Sequence, residues 1–271
     1  TVASGPRTTA IGSGAMASGD FSTALGTDTE ASAEYATAMG NQTFASAPYS
    51  TSMGLGVTAS GAASTAMGHQ TTASGYVAVA AGFSATASGY ASAAMGTQVQ
   101  ASGDYSTALG VDTVASGLAS TAMGSSATAS GDYSTAMGDG TLASGSYSTA
   151  IGRETVASGQ DSLATGTSTI ASGVNSTAMG WYADTAGMSG AFVYSDTSTA
   201  DWLQASAYNE VTFRASGGFR IFTASDLSAG VTLAAGSGTW SSVSDVAMKE
   251  NFRDLDGDAV LRALAAIPIR E

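Results

Sequence analysis

The sequence contains no cysteine, so disulfide bonds and thiolate metal sites are excluded. Positive charge is also scarce, because eight lysine and arginine residues stand against 21 aspartate and glutamate residues, for a net charge of -13. With no basic stripe to neutralise phosphates, nucleic-acid binding is not expected. No run of eighteen apolar residues is present, so no membrane insertion is expected either.

What the sequence does contain is a fourteen-residue repeat. Thirteen Ala-Ser pairs recur at this spacing from Ala3 to Ala171, and a glycine stands nine places after each alanine, from Gly12 to Gly180. A disordered linker places no such demand on the position of glycine. In a solenoid each unit packs only against its neighbours, which requires this strict period. The repeat therefore predicts a solenoid of fourteen-residue coils over residues 1–180.

Each unit contains a segment that alternates like a β-strand. In one clean unit, Thr107 and Leu109 are expected on one face, and Ser106 and Ala108 on the other. A second short strand is expected over residues 113–116, so that two strands of about five residues and two tight turns complete a coil. The glycines are expected where the turns require positive φ or close backbone approach.

The largest apolar side chain of each unit faces away from the alanine. A coil this thin has room inside for little more than alanine, serine and threonine, so these larger side chains are expected outside. An exposed apolar stripe on a water-soluble protein usually marks an interface. We therefore expect a homo-oligomer with these residues at its core: Leu25, Met39, Met53, Met67, Met95, Leu109, Met123, Met137, Ile151 and Met179.

Other recurring residues allow a structural and a functional interpretation. An aromatic column forms either stacks between coils, which we favour, or an outer ligand-binding stripe: Phe21, Tyr35, Tyr49, Tyr105, Tyr133 and Tyr147. Asp20, Asp104 and Asp132 lie on scattered units, which favours solvated turn residues over a calcium site. His69 is alone and gives no ligand set. The threonine column shares its face with methionine, which argues against an ice-binding surface.

The units Ser-Thr-Ala-Met-Gly and Ser-Thr-Ala-Leu-Gly, each followed by Ala-Ser, resemble the head repeats of YadA-like trimeric autotransporter adhesins. The resemblance covers residues 1–180. It implies an all-β, left-handed parallel β-roll and a homotrimer at an extracellular cell or virion surface. The implied ligand is an unidentified receptor, matrix component or glycan, and no cofactor or metal is implied.

After Gly180 the period stops, and residues 181–243 are expected to form a connector. Two alternating segments, 209–214 and 219–223, flank a Gly-Gly pair and predict a β-hairpin. A third strand is expected at 231–233. A short helix is expected over about residues 258–266.

The closing segment, residues 244–271, resembles the start of the endosialidase-type C-terminal intramolecular chaperone. In that family the serine of a Ser-Asp-x-x-x-Lys motif is the nucleophile of self-cleavage and the lysine is its base. The resemblance implies these roles for Ser244 and Lys249, with Asp245 beside them. A serine hydroxyl needs such a base, and a desolvated lysine can lose its proton. The chain is expected to be a segment of a longer protein.

The sequence thus favours a structural and adhesive function: a trimeric fibre with a trimerisation chaperone that self-cleavage removes. Two alternatives remain. The first is a self-processing Ser-Lys peptidase as the main activity. The second is a receptor-binding phage tail fibre, for which the same trimeric architecture is expected.

Overall fold

The computed structural model describes residues 1–244 and 256–266. The chain divides into two compact units, Thr1–Arg214 and Ala215–Glu271. The first unit is a solenoid built from two parallel sheets, and the all-β fold expected from the repeat is confirmed. The predicted residues Asp245 and Lys249 lie outside the described residues.

One sheet of the solenoid consists of fifteen long strands. Each residue of a regular strand pairs with the residue fourteen places later, as Thr107 does with Thr121. The strands are Thr9–Ile11, Thr23–Thr27, Thr37–Asn41, Thr51–Leu55, Thr65–His69, Val79–Phe83, Ala93–Thr97, Thr107–Val111, Thr121–Ser125, Thr135–Asp139, Thr149–Arg153, Leu163–Thr167, Thr177–Trp181, Phe192–Ser195 and Val211–Arg214.

The other sheet consists of fifteen two-residue strands, also parallel. The expected five-residue second strand is wrong, because only Val114–Ala115 of residues 113–116 forms a strand. The turns on either side take up the other residues. The strands are Val2–Ala3, Met16–Ala17, Glu30–Ala31, Phe44–Ala45, Thr58–Ala59, Thr72–Ala73, Thr86–Ala87, Gln100–Ala101, Val114–Ala115, Thr128–Ala129, Leu142–Ala143, Val156–Ala157, Ile170–Ala171, Ala183–Asp184 and Leu203–Gln204.

The interior of the solenoid holds only small side chains. In the unit that begins at Ala101, the buried residues include Ala101, Ser106, Ala108 and Thr113, each at most 1% exposed. Neighbouring coils repeat the same four columns, so the alanine column faces inward as the alternation predicts. Alanine, serine, threonine or, at Val57 and Val99, valine fills each place, so nothing as large as methionine can enter.

Each regular coil turns at two residues with left-handed backbone conformation, such as Tyr105 (φ 59°) and Asp112 (φ 53°). Gly110 has φ 124°, and a Cβ there would lie 2.0 Å from the carbonyl oxygen of Gly124 in the next coil. Only glycine fits this position, which explains its strict recurrence. Gly117 has no positive φ, although the next coil approaches it as closely.

Two strands continue the parallel sheet after the sequence period ends at Gly180. Phe192–Ser195 pairs with Thr177–Trp181, and Val211–Arg214 pairs in turn with Phe192–Ser195. The predicted pairing of residues 209–214 with 219–223 is therefore wrong. The connections before these two strands are longer than those of the regular coils. Register partners are therefore more than fourteen residues apart, and a fixed period does not reveal them.

The second unit contains a three-stranded antiparallel sheet. Gly218–Phe222 pairs with Ala229–Ala234, which pairs with Trp240–Ser244. The expected third strand at residues 231–233 is confirmed within Ala229–Ala234. A helix spans Gly257–Ala265, within one residue of the predicted bounds. It begins there because Asp256 caps its N-terminus, accepting hydrogen bonds from the N–H groups of Asp258 and Ala259.

Candidate functional site

The outward face of the long strands carries a column of mostly large apolar side chains that we call the apolar ladder. The predicted core residues all lie in it, since the register pairs Leu25 with Met39 and Leu109 with Met123. Their side chains are half-buried or exposed, and Met95 retains 44% of its accessible surface. The single protomer thus leaves these side chains in contact with water.

The ladder is longer than the sequence period indicated. Ile11 begins it with 63% exposure, and the register extends it from Met179 to Tyr194 and Phe213. Ala81 and Thr165 interrupt it. Sequence reasoning missed Tyr194 and Phe213 because the spacing changes after Gly180, although both strands show the alternation of an outward-facing column.

The chemistry of the ladder favours association over ligand capture. Apart from the hydroxyl groups of Thr165 and Tyr194, its side chains are thioethers and hydrocarbon groups, which offer no strong hydrogen-bond donor or acceptor. Complete burial of one such side chain stabilises by about 1.5–3 kcal/mol, and roughly half of that remains to be gained where the side chain is half-exposed. Summed along the ladder, this is a substantial driving force for covering the face.

A second apolar stripe lies on the short strands. Val114, Leu142, Val156 and Ile170 are half-buried, whereas the alanine beside each one is fully buried. The alternation of a strand therefore directs these four side chains outward. The solenoid presents apolar groups on two different faces.

The residues of the aromatic column lie at the turns that precede six of the long strands. Phe21 stacks on Tyr35, and Tyr35 on Tyr49, with ring centroids 4.8 and 5.2 Å apart. Tyr133 and Tyr147 stack at 5.0 Å with an interplanar angle of 2°. The predicted stacking between coils is confirmed for these neighbours. Their outer edges remain exposed.

Two of the recurring aspartates bond to the backbone of the preceding coil. Oδ1 of Asp104 accepts from the N–H of Tyr90 at 2.8 Å, and Oδ1 of Asp132 accepts from the N–H of Leu118 at 3.0 Å. Both therefore connect adjacent turns. The sequence interpretation of a solvated turn residue missed this bond.

Glu210 organises the connection before the last long strand. Its Oε2 accepts hydrogen bonds from the N–H groups of Ser206 and Ala207 and from the Ser206 hydroxyl, while Thr212 donates to Oε1. The backbone N–H of Ser206 is the largest of these influences, and together they lower the pKa of Glu210 from 4.5 to about 2. No motif or periodicity in the sequence pointed to this residue.

The proposed self-cleavage residues are not brought together by the described structure. Ser244 ends the strand Trp240–Ser244, where it pairs with Ala229. Asp245 and Lys249 fall outside the described residues, so the roles of all three stay predictions. Among the residues that are described, no helix is long and apolar enough to cross a membrane.

These features define the class of protein: a parallel β-solenoid of fourteen-residue coils with a small-residue interior and an outward apolar ladder. The model of the YadA head domain repeat matches residues 3–29, 31–56, 59–85, 101–127, 115–141, 129–155 and 157–183, which is more than half of the chain. The chain belongs to this family, so it is a YadA-like adhesin head. The left-handed winding stays a prediction.

The crystal structure of the collagen-binding domain of the Yersinia adhesin YadA is similar to this chain. The two are 19% identical over 89% of this chain and 94% of the YadA domain, with a TM-score of 0.22. A similarity at this level carries no argument about the site. No curated protein sequence matches the chain significantly.

Proposed function

We propose that the chain is the head of a homotrimeric, extracellular adhesive fibre in which the apolar ladder forms the trimer core. The observation that carries this proposal is the ladder itself, a column of exposed methionine, leucine and isoleucine on a strongly acidic protein. Membership of the YadA head family supports it, since the resemblance implies a trimer.

The two apolar faces favour a ring over a twofold dimer. A twofold interface uses one self-complementary patch, whereas a closed ring brings two different patches of each protomer together. The apolar ladder supplies one patch. The stripe of Val114, Leu142, Val156 and Ile170 supplies a second on the other sheet.

Met123→Lys tests the trimer core. A lysine at this position would bury a charge in the core, so light scattering is expected to show loss of the trimer at micromolar concentration. Ser125→Lys is the matched control, because Ser125 is exposed on the same strand, two residues further along. A wild-type monomer, or equal behaviour of the two variants, would contradict the proposal.

The adhesive partner is proposed as a surface receptor, a matrix component or a glycan. A trimer presents every surface feature three times, so even weak single contacts gain avidity when three engage one surface. Binding of the trimer to immobilised matrix proteins, with collagen among them because it is named for YadA, tests this role. Retention that depends on the trimeric state is the expected result.

We propose in addition that the C-terminal segment undergoes self-cleavage, with Ser244 as nucleophile and Lys249 as base. The support is the Ser-Asp-x-x-x-Lys motif and its position after a solenoid of this family. In the full reading frame, Ser244→Ala is expected to abolish a cleavage product that mass spectrometry detects in the wild type. Ser242→Ala, two residues earlier in the same strand, should leave cleavage unchanged.

A further inference from the structure

An open groove of about 570 Å³ lies on the outward face of the solenoid where the regular repeats end. Its position follows from the register, which aligns Arg153, Thr167 and Trp181 in one column at the ends of three adjacent long strands. Tyr194, in the next coil, lies in the ladder column on the opposite side of the groove. Each of these side chains is at least partly exposed.

The floor of the groove has no side chains over two coils. Gly166 and Gly180 are register partners, and both line it. Thr165 stands where seven other coils carry methionine, so the ladder adds little bulk beside Gly166. A ligand can therefore approach the sheet backbone between the aromatic walls formed by Trp181 and Tyr194.

The charged groups at the groove supply both kinds of hydrogen-bonding partner. Arg153 is exposed and, among the described residues, forms no salt bridge, so its guanidinium is free to donate. Asp196 offers a carboxylate at the groove. Its Oδ1 accepts hydrogen bonds from the N–H and the hydroxyl of Ser198, and Nε of Arg214, 3.8 Å from Oδ1, balances its charge. Asp139, the register partner of Arg153, likewise opposes its charge. The two charged residues that line the groove, Arg153 and Asp196, thus carry opposite charges.

This combination points to a ligand that is uncharged, ring-shaped and rich in hydroxyl groups. Planar aromatic walls contact the C–H faces of such a ring, while a guanidinium donates to its hydroxyls and a carboxylate accepts from them. An anion would gain little from a locally neutral site on a protein with a net charge of -13. The volume is within the range of small-ligand sites.

The groove lies at the rim of the ladder. In the two coils before Arg153, the same column carries Ser125 and Asp139, whose exposed polar side chains favour contact with water. A trimer that covers the ladder therefore leaves the Arg153 side of the groove accessible.

We propose that this groove binds a neutral hexose ring at the end of a glycan, through contact with Trp181 and hydrogen bonds to Arg153 and Asp196. This proposal rests on the adhesive function proposed above, and it specifies the class of ligand that the fibre binds. The groove is formed within one protomer, so the site itself does not require the trimer.

The test is a titration of the whole chain with lactose, followed by the indole N–H resonance of Trp181 in two-dimensional NMR. Trp181→Phe assigns this resonance among the three tryptophans. A saturable shift is expected with a dissociation constant on the order of 1 mM. Arg153→Ala should weaken binding about tenfold, since a hydrogen bond to a charged group is lost. Arg7→Ala, an exposed arginine at the first coil, is the matched control and should not weaken it.

Sialyllactose, in which an acidic sialic acid residue is added to the galactose of lactose, separates neutral from acidic recognition and should bind no more tightly than lactose. Tighter binding of sialyllactose would overturn the proposal. Absence of any shift with lactose, or equal affinity of Arg153→Ala and wild type, would overturn it as well. Light scattering on the same samples reports the trimer separately, so failure of one proposal is distinguishable from failure of the other.

Discussion

Replacement of Gly110 by alanine is expected to destabilise the solenoid far more than the same replacement at Gly117. Both positions meet the next coil equally closely, because a Cβ would lie 2.0 Å from the Gly124 oxygen in one case and 2.1 Å from the Gly131 oxygen in the other. They differ in backbone conformation, since only Gly110 has positive φ. The pair therefore separates the effect of conformation from the effect of close approach.

The magnitude follows from two terms at Gly110. A backbone conformation that L-residues rarely adopt costs about 1–3 kcal/mol. Moving the next coil away from the Cβ weakens about two ladder hydrogen bonds, each worth about 1 kcal/mol. The free energy of unfolding is thus expected to fall by about 3–5 kcal/mol.

A smaller loss, about 1 kcal/mol, is expected for Gly117→Ala. Ala33 and Ala47 already occupy the equivalent place in two coils, so the turn can adjust to a methyl group. Alanine also restricts the unfolded chain, which offsets part of the strain.

Urea unfolding followed by circular dichroism measures both variants. The protomer concentration must be held constant, because assembly adds to apparent stability by mass action. Equal losses for the two variants would refute the conformational argument and assign the glycine requirement to close approach alone. If neither variant lost stability, the coil would be more adaptable than its geometry indicates.

Three further predictions concern the buried interior, the hydrogen-bonded carboxylate of Glu210 and the aromatic column. Thr113→Val should leave the free energy of unfolding unchanged or raise it by up to about 1 kcal/mol, because the Thr113 hydroxyl has no described hydrogen-bond partner and Val99 fills the same column. A clear loss of stability in urea unfolding would contradict this. Glu210 should remain ionised well below pH 4.5, so its stabilising bonds are complete above that value and are lost as pH falls toward 2; a carboxyl titration by NMR that gave an ordinary pKa would refute the network. Tyr35→Ala removes two stacking contacts and should lower stability by about 1–2 kcal/mol, whereas removal of the singly stacked Tyr147 should cost about half as much.

Much of the solenoid was predictable because a coil leaves few choices. Alternation in a strand decided that Ala108 points inward and Leu109 outward, and the narrow interior left no other arrangement. The length of the second strand was predicted wrongly. Asp112 turns the chain in a left-handed conformation just before this segment, and only Val114–Ala115 pairs with the neighbouring coils, which alternation alone does not indicate.

The site was less predictable beyond the repeats. Pairing of Val211–Arg214 with Phe192–Ser195 depends on contacts across a long connection, which no local pattern reports. The groove was missed for a related reason: Arg153 and Trp181 are 28 positions apart, and only the exact stacking of three coils brings them into one column. By contrast, the apolar ladder recurs in most of the fourteen-residue units, so its part before Gly180 could be found from the period.

Every regular coil meets its neighbours through the same register and the same glycine-to-carbonyl approach, so the coils are interchangeable parts. Removal of residues 115–128 would bring Gly110 against Gly138 with the same contacts that each makes now. Duplication or loss of one unit in the gene therefore changes the height of the solenoid by one strand spacing, about 4.8 Å, and the contacts between coils stay the same. The reach of such a head can thus evolve by recombination between its own repeats, one coil at a time.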